Sequence, residues 1–191
     1  MPLESARSEL RSILLEKSVK TGDFTLASGA KSNLYVDCRV TTFDSRGAVL
    51  VGQLMHNLVR REEAARGLQV GAIGGLTLGA DPISLATAMT SSMAGDATPI
   101  RCFVVRKEAK GHGRGKRIEG NFNAGDSVVV VDDVITTGDS TLKAIAAVEE
   151  EGGKVAFVAV LVDREEGGKA NIEGKGYPVA ALFKRSELVS V

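Results

Sequence analysis

The sequence has few of the residues that mark several protein classes. Its 191 residues include no tryptophan, 4% aromatic residues and two cysteines, Cys38 and Cys102. The cysteines are far apart and form no CxxC pair, which argues against a disulfide framework and a cysteine zinc site. The 24 basic and 24 acidic residues cancel. A strongly basic nucleic-acid binder and an acidic tail protein are therefore both disfavoured.

Long apolar runs are also lacking. The longest, 155–162, falls far short of the roughly 20 residues that a membrane-spanning helix needs. The N-terminal residues show no apolar core of a secretion signal. With 43% hydrophobic and 25% charged residues, the composition is typical of a soluble globular domain. We therefore expect a cytoplasmic protein with one domain and no membrane partner.

Apolar segments of strand length alternate with segments of helical periodicity. Met89 and Met93 lie four residues apart in one predicted helix, and we expect them to fill the core. The alternation predicts βαβ units around a parallel sheet that is covered on both faces, with ligands bound beyond the carboxyl ends of the strands. Strands are predicted at 24–26, 34–37, 70–73, 100–105, 128–131, 155–162 and 179–183, and helices at about 1–18, 45–63, 83–93 and 140–151.

Segment 128–141 is the most informative part of the sequence. A buried strand leads directly to Asp132 and Asp133, and a turn rich in Thr, Gly and Ser then opens a helix. Adjacent buried carboxylates are costly without partners, whereas at a strand end they can face a ligand. Hydroxyls and free N–H groups at a helix N-terminus suit a phosphate. Helix capping by Asp139 or Ser140 is compatible with this reading but does not explain the acid pair.

Two further segments follow predicted strands. The glycine-rich turn 74–79 allows either close approach of the backbone to a pyrophosphate or an ordinary tight turn. Segment 106–117 is basic and broken by glycines, and it does not fit the spacing of a P-loop. By composition alone it is a solvated basic loop that can attract polyanions or RNA. Its basic residues are Arg106, Lys107, Lys110, Arg114, Lys116 and Arg117.

Together these segments resemble a known family. Segment 128–141 resembles the phosphoribosyl-diphosphate (PRPP) binding motif of type I phosphoribosyltransferases. Segment 24–35 (FTLASGAKSNLY) resembles the N-terminal hood of the orotate phosphoribosyltransferases, 106–113 (RKEAKGHG) their catalytic loop, and 163–167 (DREEG) their strand-end arginine motif. The matches occur in the family's order over nearly the whole chain.

The resemblance implies a type I phosphoribosyltransferase fold, with a central parallel sheet flanked by helices. The single domain 1–191 is expected to have a small hood, mainly 1–40 plus C-terminal residues, and a core at about 41–175. The implied reaction converts orotate and PRPP to orotidine 5′-monophosphate and pyrophosphate in de novo pyrimidine synthesis. The family also implies Mg²⁺, held mainly by PRPP, and a homodimer whose catalytic loop is shared across the interface.

The resemblance assigns roles to individual residues. Asp132 and Asp133 hold the ribose hydroxyls, directly or through water and Mg²⁺, and Arg164 pairs with the orotate carboxylate. The residues implied to line the base are Lys31, Ser32 and Tyr35. Those implied to neutralise the leaving pyrophosphate are Arg106, Lys107, Lys110 and His112. The PRPP-binding segment comprises Val134, Ile135, Thr136, Thr137, Gly138, Asp139, Ser140 and Thr141, of which the last six cradle the 5′-phosphate.

Two positions depart from the family pattern. Many members carry lysine where this chain has Ala27 and Leu78, so two leaving-group contacts are in question, and the basic loop or Lys31 is expected to supply the charge. Two alternatives stay open: a phosphoribosyltransferase for another base, and a non-catalytic, PRPP-sensing regulator that binds nucleic acid. Arg164 and the hood argue against the first. The intact acid pair and basic loop argue against the second, as does the zero net charge.

Overall fold

The computed structural model describes residues 1–25, 31–108 and 117–189, with the side chains of 25 and 31–33 outside the description. Lys110 and His112 lie outside the described residues. The helices are α1 (Leu3–Ile13), α2 (Arg39–Thr42), α3 (Ser45–Arg66), α4 (Ala80–Met93), α5 (Asp139–Glu150), α6 (Gly168–Glu173) and α7 (Arg185–Leu188). The strands are β1 (Val19–Thr25), β2 (Lys31–Val36), β3 (Ala72–Leu76), β4 (Arg101–Val105), β5 (Ile118–Gly120), β6 (Ser127–Ile135), β7 (Lys154–Asp163) and β8 (Val179–Lys184).

Six strands form the central sheet, in the order β5-β4-β3-β6-β7-β8. Five of them run parallel, and β5 lies antiparallel to β4 at one edge. The predicted parallel sheet is therefore confirmed. The edge strand β5 was not predicted, because a run of three residues shows no period that distinguishes it from a loop.

Both faces of the sheet are covered. Along β6 the side chains alternate, since Val129 and Val131 belong to one apolar cluster and Val128 and Val130 to another. The first cluster is completed mainly by α1, α3 and α4, and the second by α5 and α6. This is why β6 and β7 have continuous apolar runs rather than alternation with polar residues. In the described part of the chain, no helix is long and apolar enough to span a bilayer.

The N-terminal segment forms a helix and a hairpin. In α1, Ala6 and Leu10 are fully buried and belong to the main apolar cluster. The sequence predicted short strands at 24–26 and 34–37. The strands β1 and β2 are longer than these segments and pair antiparallel. The division of the chain into a hood and a core stays a prediction.

One prediction about the core was wrong. Met89 and Met93 are 54% and 77% exposed on α4, and Leu85, one turn earlier, is also exposed. Helical spacing shows which residues share a face, but it does not show what that face packs against. On α4, the buried face is made instead by small residues and Ile83, while the methionine face is open.

Candidate active site

A cavity of about 310 Å³ lies at the carboxyl edge of the central sheet. It is bounded by the ends of β2, β3 and β4 and by the second half of β6. Its lining consists of 35–37, Arg39, 76–79, Lys107, 132–134 and Ser140. The edge at which the cavity lies is the one where parallel sheets bind ligands, as the sequence predicted.

Asp132 joins β6 to the first turn of α5. Its side chain is buried, with 6% of the residue exposed. Its Oδ2 accepts hydrogen bonds from Ser140 Oγ at 2.9 Å and Thr141 Oγ1 at 2.7 Å, and its Oδ1 accepts one from the N–H of Asp133 at 3.0 Å. Burial raises the pKa of Asp132, although the two hydroxyl donors act in the opposite direction. The carboxylate therefore fixes the position of the turn that follows it.

Asp133 faces the cavity. Its Oδ1 accepts a hydrogen bond from the N–H of Val134 at 3.0 Å. Burial, together with the charge of Asp132, raises the pKa of Asp133 to about 7. The strand continues to Ile135, so the acids lie inside β6 rather than at its last residue. Val134 lines the cavity, whereas the Ile135 side chain lies in the apolar core.

The loop after β3 closes one wall of the cavity. A Cβ at Gly79 would lie 2.4 Å from Asp133 Oδ1, so glycine lets this loop approach the carboxylate. Thr77 Oγ1 donates a hydrogen bond to Asp81 Oδ2 at 2.7 Å, and the peptide bond between Thr77 and Leu78 is cis. Segment 76–79 carries no charged side chain, and this wall is neutral as a result.

The turn 136–141 rests on α6. A Cβ at Gly168 would lie 2.4 Å from Thr136 O, and Asn171 Nδ2 donates to Thr137 O at 2.9 Å. Gly138 has a φ of 85°, which favours glycine. The first N–H groups of α5 have no partner within the helix. They present a site suited to an anion beside the acid pair.

Two of the predicted basic residues, Arg106 and Lys107, lie at or beside the cavity. Lys107 lines the cavity, and it also lines a neighbouring depression with Arg106 and Glu119. Arg106 Nη1 contacts Glu119 Oε1 at 2.9 Å. These contacts bring one of the predicted leaving-group cations, Lys107, directly to the site.

Arg164 connects β7 to β2. The residue is 5% exposed, and its Nη2 donates to Leu34 O at 3.3 Å and to Glu166 Oε1 at 2.6 Å. Arg164 does not line the cavity, but Leu34 directly precedes Tyr35, which does. Lys31 lies on β2 opposite Thr25. Of the residues predicted to bind the base, Lys31 and Tyr35 thus lie on β2, and Arg164 contacts that strand at Leu34.

Sequence reasoning missed Asp37 and Arg39. The guanidinium of Arg39 binds Asp37 side-on, with Nε–Oδ1 and Nη2–Oδ2 distances of 2.8 Å. These hydrogen bonds lower the pKa of Asp37 and raise that of Arg39. Both residues line the cavity. The available signal was an acidic and a basic residue two positions apart, just beyond the segment 24–35 that resembles the family's hood.

Comparisons with known proteins agree with this geometry. The phosphoribosyl transferase domain family matches residues 84–175. An orotate phosphoribosyltransferase of Aquifex aeolicus (strain VF5) is 48% identical over 186 residues, which cover 96% of this chain and 97% of that protein. One from Corynebacterium glutamicum (strain R) is 43% identical, with 96% and 94% covered.

Solved structures give the same result. The Mycobacterium tuberculosis H37Rv orotate phosphoribosyltransferase in complex with Fe(III) dicitrate superposes with a TM-score of 0.80 at 39% identity, covering 96% of this chain and 98% of that one. The same enzyme in complex with PRPP gives a TM-score of 0.75 at 34% identity, covering 97% and 92%. With relatives this similar over nearly its whole length, the chain belongs to the orotate phosphoribosyltransferase family and has the type I phosphoribosyltransferase fold.

Proposed function

We propose that this protein transfers the phosphoribosyl group of PRPP to orotate, giving orotidine 5′-monophosphate and pyrophosphate in de novo pyrimidine (UMP) synthesis. The observation that carries the proposal is the arrangement around β6. Asp132 is hydrogen-bonded to Ser140 and Thr141, and Asp133 faces the cavity beside the N-terminus of α5. This arrangement supports an anion subsite next to a diol subsite, which is what the ribose and 5′-phosphate of PRPP require.

The acid pair and the turn divide the work on PRPP. The N–H groups of 136–141 bind the 5′-phosphate, and Asp133 accepts hydrogen bonds from the ribose hydroxyls. As the bond from C1 to the diphosphate breaks, positive charge develops on the ribose, and a nearby carboxylate stabilises it. Asp132 keeps the turn and the strand in register, so the two subsites are preorganised.

The leaving pyrophosphate requires positive charge. Lys107 supplies it from the cavity wall, and Arg106 lies next to it. Lys110 and His112, which the family resemblance assigns to the same loop, complete this set in the proposal. No nucleophilic side chain is needed, because the base nitrogen attacks C1 of the ribose directly.

The orotate end of the site is assigned to Arg164, Tyr35 and Lys31. A guanidinium fork matches a carboxylate in shape and charge. The contact from Arg164 to Leu34 O links that guanidinium to the strand carrying Tyr35. In this proposal, Arg164 binds the carboxylate of orotate, and the adjacent strand β2 contacts its ring.

Mg²⁺ belongs to the proposal. Across 1–25, 31–108 and 117–189, no three acidic, histidine or cysteine side chains are grouped as a metal site. Asp132 and Asp133 are two adjacent carboxylates, which would suit a hard cation held mostly by substrate oxygens. Held there, Mg²⁺ would neutralise charge on the diphosphate.

We also propose a homodimer in the cytoplasm. Phe43, Leu85 and Met89 are exposed and line one shallow groove of about 350 Å³, and Met93 lies one turn further along α4. A contiguous apolar face of this kind is typical of a protein interface. In this dimer the loop with Lys110 and His112 reaches the partner's site. Cys38 and Cys102 are free thiols, which suits a reducing compartment.

The activity assay is PRPP- and Mg²⁺-dependent loss of orotate absorbance, run in parallel with uracil, adenine and hypoxanthine. Turnover of orotate alone is expected. The same assay is run on the Asp132→Asn/Asp133→Asn variant as the active-site negative control. This variant should remain folded and lose roughly 10²-fold or more in kcat. Turnover of a purine in place of orotate, or a double variant with normal kcat, would contradict the proposal.

A further inference from the structure

The cavity has a cation besides Lys107. Among the described residues that line it, the positively charged ones are Arg39 and Lys107, and the negatively charged ones are Asp37, Asp132 and Asp133. The wall formed by 76–79 is neutral. Among the described residues that line the cavity, Arg39 and Lys107 are therefore the ones that can supply positive charge to a polyanion bound in it.

Arg39 is held in place by its neighbours. Asp37 engages Nε and Nη2 of the guanidinium, and the N–H of Arg39 also donates to Asp37 Oδ1 at 3.1 Å. Cys38 before it and Thr41 after it are fully buried, which anchors the backbone. A guanidinium fixed in this way loses little side-chain entropy when an anion binds.

One edge of the Arg39 fork remains available. Within the described part of the chain, no hydrogen bond uses Nη1, and half of the side chain (50%) is exposed. Since Asp37 occupies only the side-on edge, Nη1 can donate to an oxygen in the cavity. Asp37 therefore pairs with one edge of the Arg39 guanidinium, and the edge that carries Nη1 can still bind an anion.

The position of Arg39 in the cavity indicates which group of PRPP it contacts. In the proposed function, the turn 136–141 binds the 5′-phosphate and the acid pair lies at the ribose. Arg39 shares its cavity with the loop 76–79 and with Lys107, where the diphosphate remains to be held. We propose that Arg39, fixed by Asp37, binds the diphosphate of the phosphoribosyl donor and thereby supplies charge that Leu78 does not. This inference rests on the proposed function.

The chain offers a matched control for Arg39. Arg46 makes the same side-on ion pair, with Glu9, at two distances of 2.7 Å. Its side chain is 49% exposed, against 50% for Arg39, and it does not line the cavity. Arg46→Gln therefore removes an equal ion pair from outside the site, whereas Arg39→Gln removes one from inside it.

The experiment measures inorganic pyrophosphate binding by calorimetry in MgCl₂ buffer, together with KM for PRPP and for orotate. Arg39→Gln should weaken pyrophosphate binding and raise KM for PRPP, each by about tenfold or more, with KM for orotate changed less than about threefold. Arg39→Lys should recover part of both losses, because it keeps the charge but not the fork. Arg46→Gln should match the wild type.

Three outcomes would overturn the inference. Pyrophosphate binding by Arg39→Gln within twofold of the wild type is the first, and a rise in KM for orotate alone is the second. Equal weakening in Arg46→Gln is the third, since it would show a general charge effect. Urea unfolding checks that Arg39→Gln is folded, and if it is not, Arg39→Lys carries the comparison. A wild type that binds pyrophosphate but does not turn over orotate would refute the proposed function and leave Arg39 testable.

Discussion

At the scale of single residues, Asp133 has a charge that depends on the fold. Its pKa is about 7 in the native state because of burial and of Asp132, against 3.8 for an ordinary aspartate. Between these values the native state binds more protons than the unfolded state. The contribution of Asp133 to the free energy of unfolding therefore falls as pH rises from about 4 to about 7. Asp133→Asn removes this decline and should be more stable than the wild type above pH 7, by up to about 4 kcal/mol.

Urea unfolding of the ligand-free proteins at several pH values between 4.5 and 8 measures this difference. Asp23→Asn, which changes an exposed carboxylate on β1, serves as the control and should follow the wild type. Parallel stability curves for Asp133→Asn and the wild type would show that the native state does not hold the Asp133 proton.

Arg164 gives a prediction about substrate affinity. If its guanidinium pairs with the orotate carboxylate, Arg164→Ala should raise KM for orotate far more than KM for PRPP. Removing one partner of a buried charged pair costs about 2–5 kcal/mol. Steady-state kinetics with each substrate varied in turn provide the measurement. Equal increases for both substrates would instead indicate that Arg164 acts through its contact with β2.

At the scale of elements, substitutions of two glycines in β3 and the loop after it are expected to have different effects, one on catalysis and the other on stability. A Cβ at Gly79 would meet the flexible end of Asp133 at 2.4 Å, whereas a Cβ at Gly75 would meet the backbone oxygen of Val131 at 2.0 Å. Gly79→Ala should therefore displace the carboxylate and lower kcat by about tenfold, with a small change in stability. Gly75→Ala must shift β6 itself, and overpacking of that kind costs about 1–3 kcal/mol or more.

Thermal unfolding and kcat, measured on both variants, test this contrast. A Gly79→Ala protein with normal kcat would mean that Asp133 need not lie against the loop. A Gly75→Ala protein as stable as the wild type would mean that the strands separate easily at this point.

The strands and helices of the core followed from the sequence because each is long and strongly patterned. The run 128–131 and the helix after it were predicted together with the acid pair between them. Adjacent buried carboxylates are unfavourable unless a partner or a ligand compensates them, so the pair marked this segment. The short elements β5 and α6 were missed, because three to six residues contain too little periodicity. Arg39 was missed for another reason: its partner Asp37 is close in sequence, but its cavity neighbours come from other segments, and only the fold brings them together.

At the scale of the whole molecule, subunit sharing predicts complementation. A Lys110→Ala/His112→Ala protein and an Asp132→Asn/Asp133→Asn protein should each be nearly inactive. If the loop acts on the partner's site, each mixed dimer has one intact site and one doubly altered site. Half of the dimers are mixed at equal input, so activity should recover to roughly a quarter of the wild-type value.

The measurement refolds the two variants together and assays orotate turnover. Mass spectrometry of the intact dimers confirms that the subunits have exchanged. No recovery despite exchange would assign the loop to its own subunit, because every site would then keep one defect.

In the proposed homodimer, the hydrogen bond between Thr77 and Asp81 would couple subunit contact at the α4 groove to the wall of the cavity. Thr77 belongs to the cavity wall, whereas Asp81 lines the apolar groove on α4. Within the described chain, Asp81 Oδ1 is buried and accepts no hydrogen bond. A second subunit packed on this groove would contact the segment that carries Asp81 and, through Thr77, would order the cavity wall. By thermodynamic reciprocity, pyrophosphate must then tighten self-association by the same factor by which self-association tightens pyrophosphate binding.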